Sequence, residues 1–186
     1  MKTWPWLAVI ALFFAIGIGL MVAYPTRHAD PNPPDSFGAD LAFIFACKDK
    51  ADPPSEQAIE QFLEGNGFRV LNKVRLAKEQ HVDYSWKTMD IVGLDSARRE
   101  ITFDAGPEDP NAYFVGLYSE PPTRRSTDLE NALLELTEKT LGCQNRQVER
   151  FENPAAARSL YDHSFSQAEG WFQQAAEMQA PAPSTK

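Results

Sequence analysis

Residues 39–47 read ADLAFIFAC, an almost unbroken apolar run centred on Phe43, Ile44 and Phe45. Gly38 precedes it and the charged triplet Lys48-Asp49-Lys50 follows it. A short apolar run between such borders predicts a strand buried on both faces, and such a strand belongs in the middle of a sheet.

Downstream, Asp52-Pro53-Pro54-Ser55 supplies a cap and first-turn prolines for a helix. Its apolar face is Ala58, Ile59, Phe62 and Leu63, and Gly65-Asn66-Gly67 ends it with residues suited to left-handed backbone. Phe68–Leu76 predicts a second strand, with Val70, Val74 and Leu76 on one face and Arg69, Lys73 and Arg75 on a solvated one. Residues 77–85 read as a loop. Lys87–Leu94 and Glu100–Phe103 form a hairpin about the turn at 95–98, and turn formers fill 104–111. Ala112–Ser119, AYFVGLYS, is a further strand, in which Gly116 marks a bulge or the close approach of another group. Thr127-Asp128-Leu129-Glu130 fits a capping box, and Leu129, Ala132, Leu133, Leu136 and Leu141 then recur at helical spacing up to Gly142. Cys143–Phe151 predicts a polar edge strand. Asn153-Pro154 opens a last helix lined by Tyr161, Phe165, Ala168, Phe172 and Ala175, with Gly170 as a point of interruption.

This order predicts an α+β domain of two layers, with two helices on one face of a mostly antiparallel sheet. The topology it points to is a ferredoxin-like split βαβ arrangement with an extra hairpin and a C-terminal helix. The expected boundaries are 39–153 for the domain, 154–178 for the last helix and 179–186 for a disordered tail.

Upstream, Pro25–Gly38 has four prolines in fourteen residues and reads as a semi-rigid linker. Before it lies Leu7–Tyr24, LAVIALFFAIGIGLMVAY, without charge, Asn, Gln or Pro. Its eighteen residues make a helix of roughly 27 Å, enough to cross a bilayer's hydrocarbon core. Trp4, Trp6 and Tyr24 suit the two headgroup layers. Residues 1–24 are therefore expected to be an uncleaved anchor with a short flank. The alternative is a cleaved leader. Against it stand the length of the run and the poor cleavage site at Met21-Val22-Ala23, followed by Tyr24. Lys2 and Arg27 balance across the span, so the charge bias is small, and the short flank favours a cytoplasmic N-terminus with the domain exported. Ala11, Ala15, Gly19 and Ala23 form a stripe of small residues that would let a second helix, from another copy or a membrane subunit, approach closely.

The chain of 186 residues carries 26 acidic and 18 basic residues, a net charge of −8, and Lys2 is the only charge before Arg27. An acidic domain is a poor partner for nucleic acid and a good one for a basic protein. The two cysteines, Cys47 and Cys143, fall at the end of the first strand and the beginning of the last. In a split βαβ sheet those strands are antiparallel neighbours, which predicts a disulfide. Such a bond forms on the oxidising side of a membrane; two reduced thiols in a cytosolic domain are the alternative.

No phosphate-binding glycine loop, nucleophile elbow or H-E-x-x-H pair is present, and no motif points to a cofactor. His81-x-Asp83 offers two ligands where a metal needs three or four, and Glu100, Asp104, Glu108 and Asp109 lack calcium-loop spacing. Neither cysteine sits in C-x-x-C. The expectation is a single-pass envelope protein whose acidic exported domain binds another protein, as a complex subunit or an immunity-type inhibitor, through Tyr113, Phe114 and Tyr118. The second reading, from a different class, is a small-ligand binder or enzyme with a site between sheet and helices, marked by His81, Asp83, Tyr84, Trp86 and Asp104.

Overall fold

A computed structural model describes residues 38–47, 53–108, 111–120, 125–152 and 164–180. They form strands β1 (Gly38–Ala46), β2 (Arg69–Asn72), β3 (Met89–Leu94), β4 (Arg99–Ala105), β5 (Ala112–Ser119) and β6 (Gln144–Arg150). The helices are α1 (Glu56–Gly65), α2 (Lys73–Glu79), α3 (Thr127–Glu135, prolonged by a π turn over Leu136–Thr140) and α4 (Phe165–Gln179). The strands lie in one sheet in the order β2-β3-β4-β5-β1-β6, every neighbouring pair antiparallel. The fold is α+β. Among the described residues no helix is long and apolar enough to cross a membrane; the predicted span at 7–24, its stripe and the linker lie outside them.

The β1 backbone is paired on both sides, as its unbroken apolar run requires, yet only β6 lies between it and the edge. The middle of the sheet belongs instead to the meander β3–β4–β5, whose short turns keep consecutive strands adjacent. Two connections cross strands: β1–α1–β2 passes over the whole meander, and β5–α3–β6 passes over β1.

One face of the sheet packs on α1 and α3. Leu41, Phe43, Phe45, Ile91, Ile101, Phe103, Val115 and Leu117 meet Ile59, Leu63, Leu129, Leu133 and Leu136 there. Each fully buried side chain of this size contributes about 1.5–3 kcal/mol relative to exposure, so this cluster is the main source of stability. Phe43→Ala, opening a cavity at its centre, would cost about 3–5 kcal/mol. The opposite face is covered too: Ala39, Leu94 and Tyr118 bury against Ala168 of α4, flanked by Phe165, Trp171 and Phe172. The expected two layers are therefore three. On that face of β1, α4 covers Ala39, while Ile44 and Ala46 stay partly exposed.

Local chemistry moves two predicted boundaries. The strand expected over Phe68–Leu76 ends at Asn72, whose side chain accepts from Arg75 N at 2.9 Å and starts α2. Glu56 and Glu60 of α1 accept from the Asn72 amide, fixing that cap. The helix expected from a Thr127–Glu130 capping box starts one residue earlier: Ser126 accepts from Leu129 N, and Glu130 is fully buried. Gly170 lies within α4 without interrupting it. Ser164 caps that helix, whose expected start at Asn153-Pro154, with Tyr161, falls outside the described residues.

The last turn of α3 widens so that Leu141 N reaches Leu136 O and Cys143 N reaches Thr137 O, both at 2.9 Å. Gly142 accepts the left-handed backbone (φ 67°) that follows. This geometry delivers Cys143 beside the end of β1, and Cys47 and Cys143 are disulfide-bonded with Cα atoms 4.2 Å apart.

Candidate functional site

The second face of the sheet differs chemically from the first. Alternation along β3 and β4 points Asp90 and Glu100 toward it, and both are buried. Where α2 and α4 approach each other over this face, a cleft of about 290 Å³ remains, walled by Leu71, Leu76, Ala77, Val82, Trp171 and Met178. Lys73 and Tyr84 also line it.

Lys73 begins α2 and lies partly buried over Trp171, its ammonium 3.4 Å from the ring centroid. Asp90 Oδ2 lies 3.6 Å from the same nitrogen. Burial holds the Lys73 pKa below the ordinary lysine value, against the opposing pull of Asp90. The Tyr84 hydroxyl donates to Asp90 Oδ2 at 2.5 Å. Burial, and then this hydrogen bond, raise the phenol's pKa, so it stays protonated. Asp90 is thus a shared acceptor, and the cleft floor is a cation held between a carboxylate and an aromatic face. The walls suit an apolar group. Exposed apolar side chains gather there: Val82 and Met178 of the lining are 56% and 45% exposed, and Trp86, packed on Tyr84, is 56% exposed.

The residues predicted for a ligand site divide. Tyr84 and Trp86 pack together with ring centroids 4.6 Å apart, and Asp104 pairs with Lys87 beside them. His81 and Asp83 are exposed in the preceding turn and do not line the cleft. His81 has a left-handed backbone (φ 59°) with Nδ1 3.2 Å from Glu79 O. Asp83 accepts from Ser85, which lowers its pKa. Among the described residues no group of three or more His, Cys, Asp or Glu is placed to hold a metal.

The predicted aromatic surface does not form one face. Tyr113 points to the α1/α3 core and stacks on Phe45 at 5.0 Å, while Phe114 and Tyr118 point to the other side. Tyr113 and Tyr118 are buried and only Phe114 is partly exposed. Period-two alternation, applied to residues 113 and 114, already separates them.

Sequence reasoning missed Lys73, Asp90 and Trp171. Lys73 read as the solvated face of a strand, and Asp90 lay inside an apolar run. The crowding of Phe165, Trp171 and Phe172 on one helix was the available signal for Trp171. A separate charged cluster has a structural role. Glu130, fully buried, is held by Arg125 on one side and by Arg150 at 3.3 Å on the other, and Arg125 also donates to Phe151 O. No protein-family model matches the chain, and no curated protein or solved structure is detectably similar to it.

Proposed function

We propose that this chain is a single-pass membrane-anchored envelope protein whose acidic exported domain binds another protein, as a complex subunit or an immunity-type inhibitor. The observation that carries the reading is the exposed apolar surface of Val82 and Met178 at the α2/α4 cleft, with the exposed Trp86 packed on Tyr84 beside them. Apolar side chains gathered at a groove mark surfaces that a partner covers. The anchor is residues 7–24, with the N-terminus inside, and the Cys47–Cys143 bond supports export, because disulfides persist on the oxidising side of a membrane. The net charge of −8 favours a basic partner through long-range steering. The same reading takes the sheet as a ferredoxin-like split βαβ core with its middle strand expanded into β3–β4–β5. The support is β6 beside β1 and the β5–α3–β6 crossover that skips one strand.

The test is affinity capture from detergent-solubilised membranes, with the chain and its Trp86→Ala and Val82→Asp variants. A stoichiometric partner should be recovered by the chain and lost from both variants. Recovery of no partner, or equal recovery by all three, would overturn the assignment to this surface. A second reading, small-ligand binding, is favoured by one feature, the Lys73–Asp90–Tyr84 arrangement inside the cleft. A thermal-shift screen of small amphipathic compounds should then find a stabiliser whose effect Lys73→Met abolishes.

A further inference from the structure

Helix α4 is attached to the sheet by a different kind of contact from that holding α1 and α3. Those two bury aliphatic side chains completely, Ile59 and Leu63 from one and Leu133 from the other. The buried residues of α4 are only Ala168 and Ala175. Its aromatic residues stay partly exposed, and each lies against a cation. Arg98 stands over Phe165 at 3.9 Å, Lys73 over Trp171 at 3.4 Å and Arg69 over Phe172 at 4.8 Å. Arg69 also donates to Glu169 at 2.7 Å. At the half-exposed Arg69 and Arg98 such cation–aromatic and ion-pair contacts are individually weak, and screening by salt weakens the ionic ones further; the Lys73 contact is the more buried one.

The surface beneath α4 is mixed. The α1/α3 side of the sheet is lined by aliphatic and aromatic side chains, whereas on the α4 side Glu100 and Asp90 stand beside the smaller apolar cluster of Ala39, Leu94 and Tyr118. Among the described residues no strand of the sheet follows β6, and only a single bridge, at Ser164, stands at the start of α4. The cleft between α2 and α4 shows that the two helices do not close on each other.

We propose that α4 is a displaceable strap, and that the face it covers docks an amphipathic helix of a partner protein bearing aromatic residues on one side and an acid among them. The occupant is read from α4 itself, whose Phe165, Glu169, Trp171 and Phe172 show what Arg98, Arg69 and Lys73 accept. The docking half of this inference rests on the protein-binding reading above; the strap does not. The contact chemistry is aromatic and acidic, while a basic surface elsewhere on the partner would answer the domain's overall charge.

Hydrogen exchange on the full chain in detergent tests the strap without any substitution. Amides of α4 should exchange at least tenfold faster than those of α1 and α3, and faster still in 1 M NaCl. Exchange of α4 as slow as that of α1 and α3 would overturn the proposal. A labelled synthetic peptide of residues 164–180 tests the docking face. It should bind the Trp171→Ala/Phe172→Ala chain at least tenfold more tightly than the unaltered chain, whose own strap competes. Adding Arg69→Glu and Arg98→Glu should abolish that binding, with retained protection in α1 and α3 confirming that the sheet is folded. A peptide that binds neither chain, or that ignores the arginines, removes the docking surface. If the peptide behaves as expected while affinity capture recovers no partner, the strap and its groove stand and the protein-binding function falls.

Discussion

Asp40 is the extra residue of a bulge in β1, lying between Ala39, paired with Tyr118, and Leu41, paired with Leu117. The bulge turns its carboxylate inward, where it accepts from the Ser119 hydroxyl and is 1% exposed. Burial is the largest influence and raises its pKa; the Ser119 bond, with Arg125 and Arg99, pulls the other way, and Glu130 adds to the rise. A carboxyl whose folded pKa is raised binds its proton more tightly in the folded state. It therefore costs stability progressively as pH climbs above the unfolded value of 3.8. Asp40→Asn keeps an acceptor for Ser119 and cannot ionise. It should raise Tm at pH 7 and leave Tm unchanged at pH 3. Equal gains at both pH values would mean that the charge is not the cause. Gly116 answers to sterics rather than charge. The Tyr118 ring folds back over it, and a Cβ there would sit 2.4–2.6 Å from ring atoms. Gly116→Ala should displace the ring and lower urea stability by about 1–3 kcal/mol; a neutral result would mean that the ring moves aside freely.

At the scale of elements, caps decide boundaries that periodicity leaves open. Val70, Val74 and Leu76 alternate well enough for one long strand, yet Asn72 offers its side chain to Arg75 N and turns the chain into α2. For α3 the cap is Ser126, so Ser126→Ala should cost about 1 kcal/mol while Thr127→Ala should cost much less. Chemical denaturation of the two variants separates these assignments, and the reverse ranking would restore the capping box at Thr127. The carboxylate that the motif would have used for capping is Glu130, buried between Arg125 and Arg150, and the Arg125 pKa is raised chiefly by that hydrogen bond. Glu130→Ala would leave two guanidiniums facing a buried gap. A loss of about 1–3 kcal/mol is expected from the unmet hydrogen bonds, read from the unfolding midpoint.

For the whole molecule, the disulfide joins residues 96 apart in sequence and so ties nearly the full length of the sheet domain. The chain-entropy account gives about 4–5 kcal/mol for a loop near this length, an upper figure in practice. Cys47→Ser/Cys143→Ser should accordingly fall in unfolding midpoint by a large part of that amount. The proposed topology has its own readout. Alkylation of intact cells before lysis, followed by mass spectrometry, should find no labelled cysteine, and two labelled thiols would refute export of the domain. The three layers also set where function can lie. The α1/α3 side is a closed apolar core, and the α4 side keeps the charges, the cleft and the exposed apolar surface.

The sequence by itself determined the α+β class, the apolar run of β1, the hairpin of β3 and β4, and the adjacency of first and last strands that pairs Cys47 with Cys143. Each follows from local period, turn chemistry or a short topological argument, all of which are written along the chain. The sequence alone predicts two layers and does not identify α4 as the element that makes a third. That choice depends on which distant side chains Phe165, Trp171 and Phe172 reach, and Arg98, Lys73 and Arg69 are far from them in sequence. The same holds for the cleft. Lys73 reads as an exposed strand charge and Asp90 as an acid within an apolar run; the β2–β3 register, with Asn72 opposite Ile91, brings them together, and the packing of α2 and α4 over them takes them out of water.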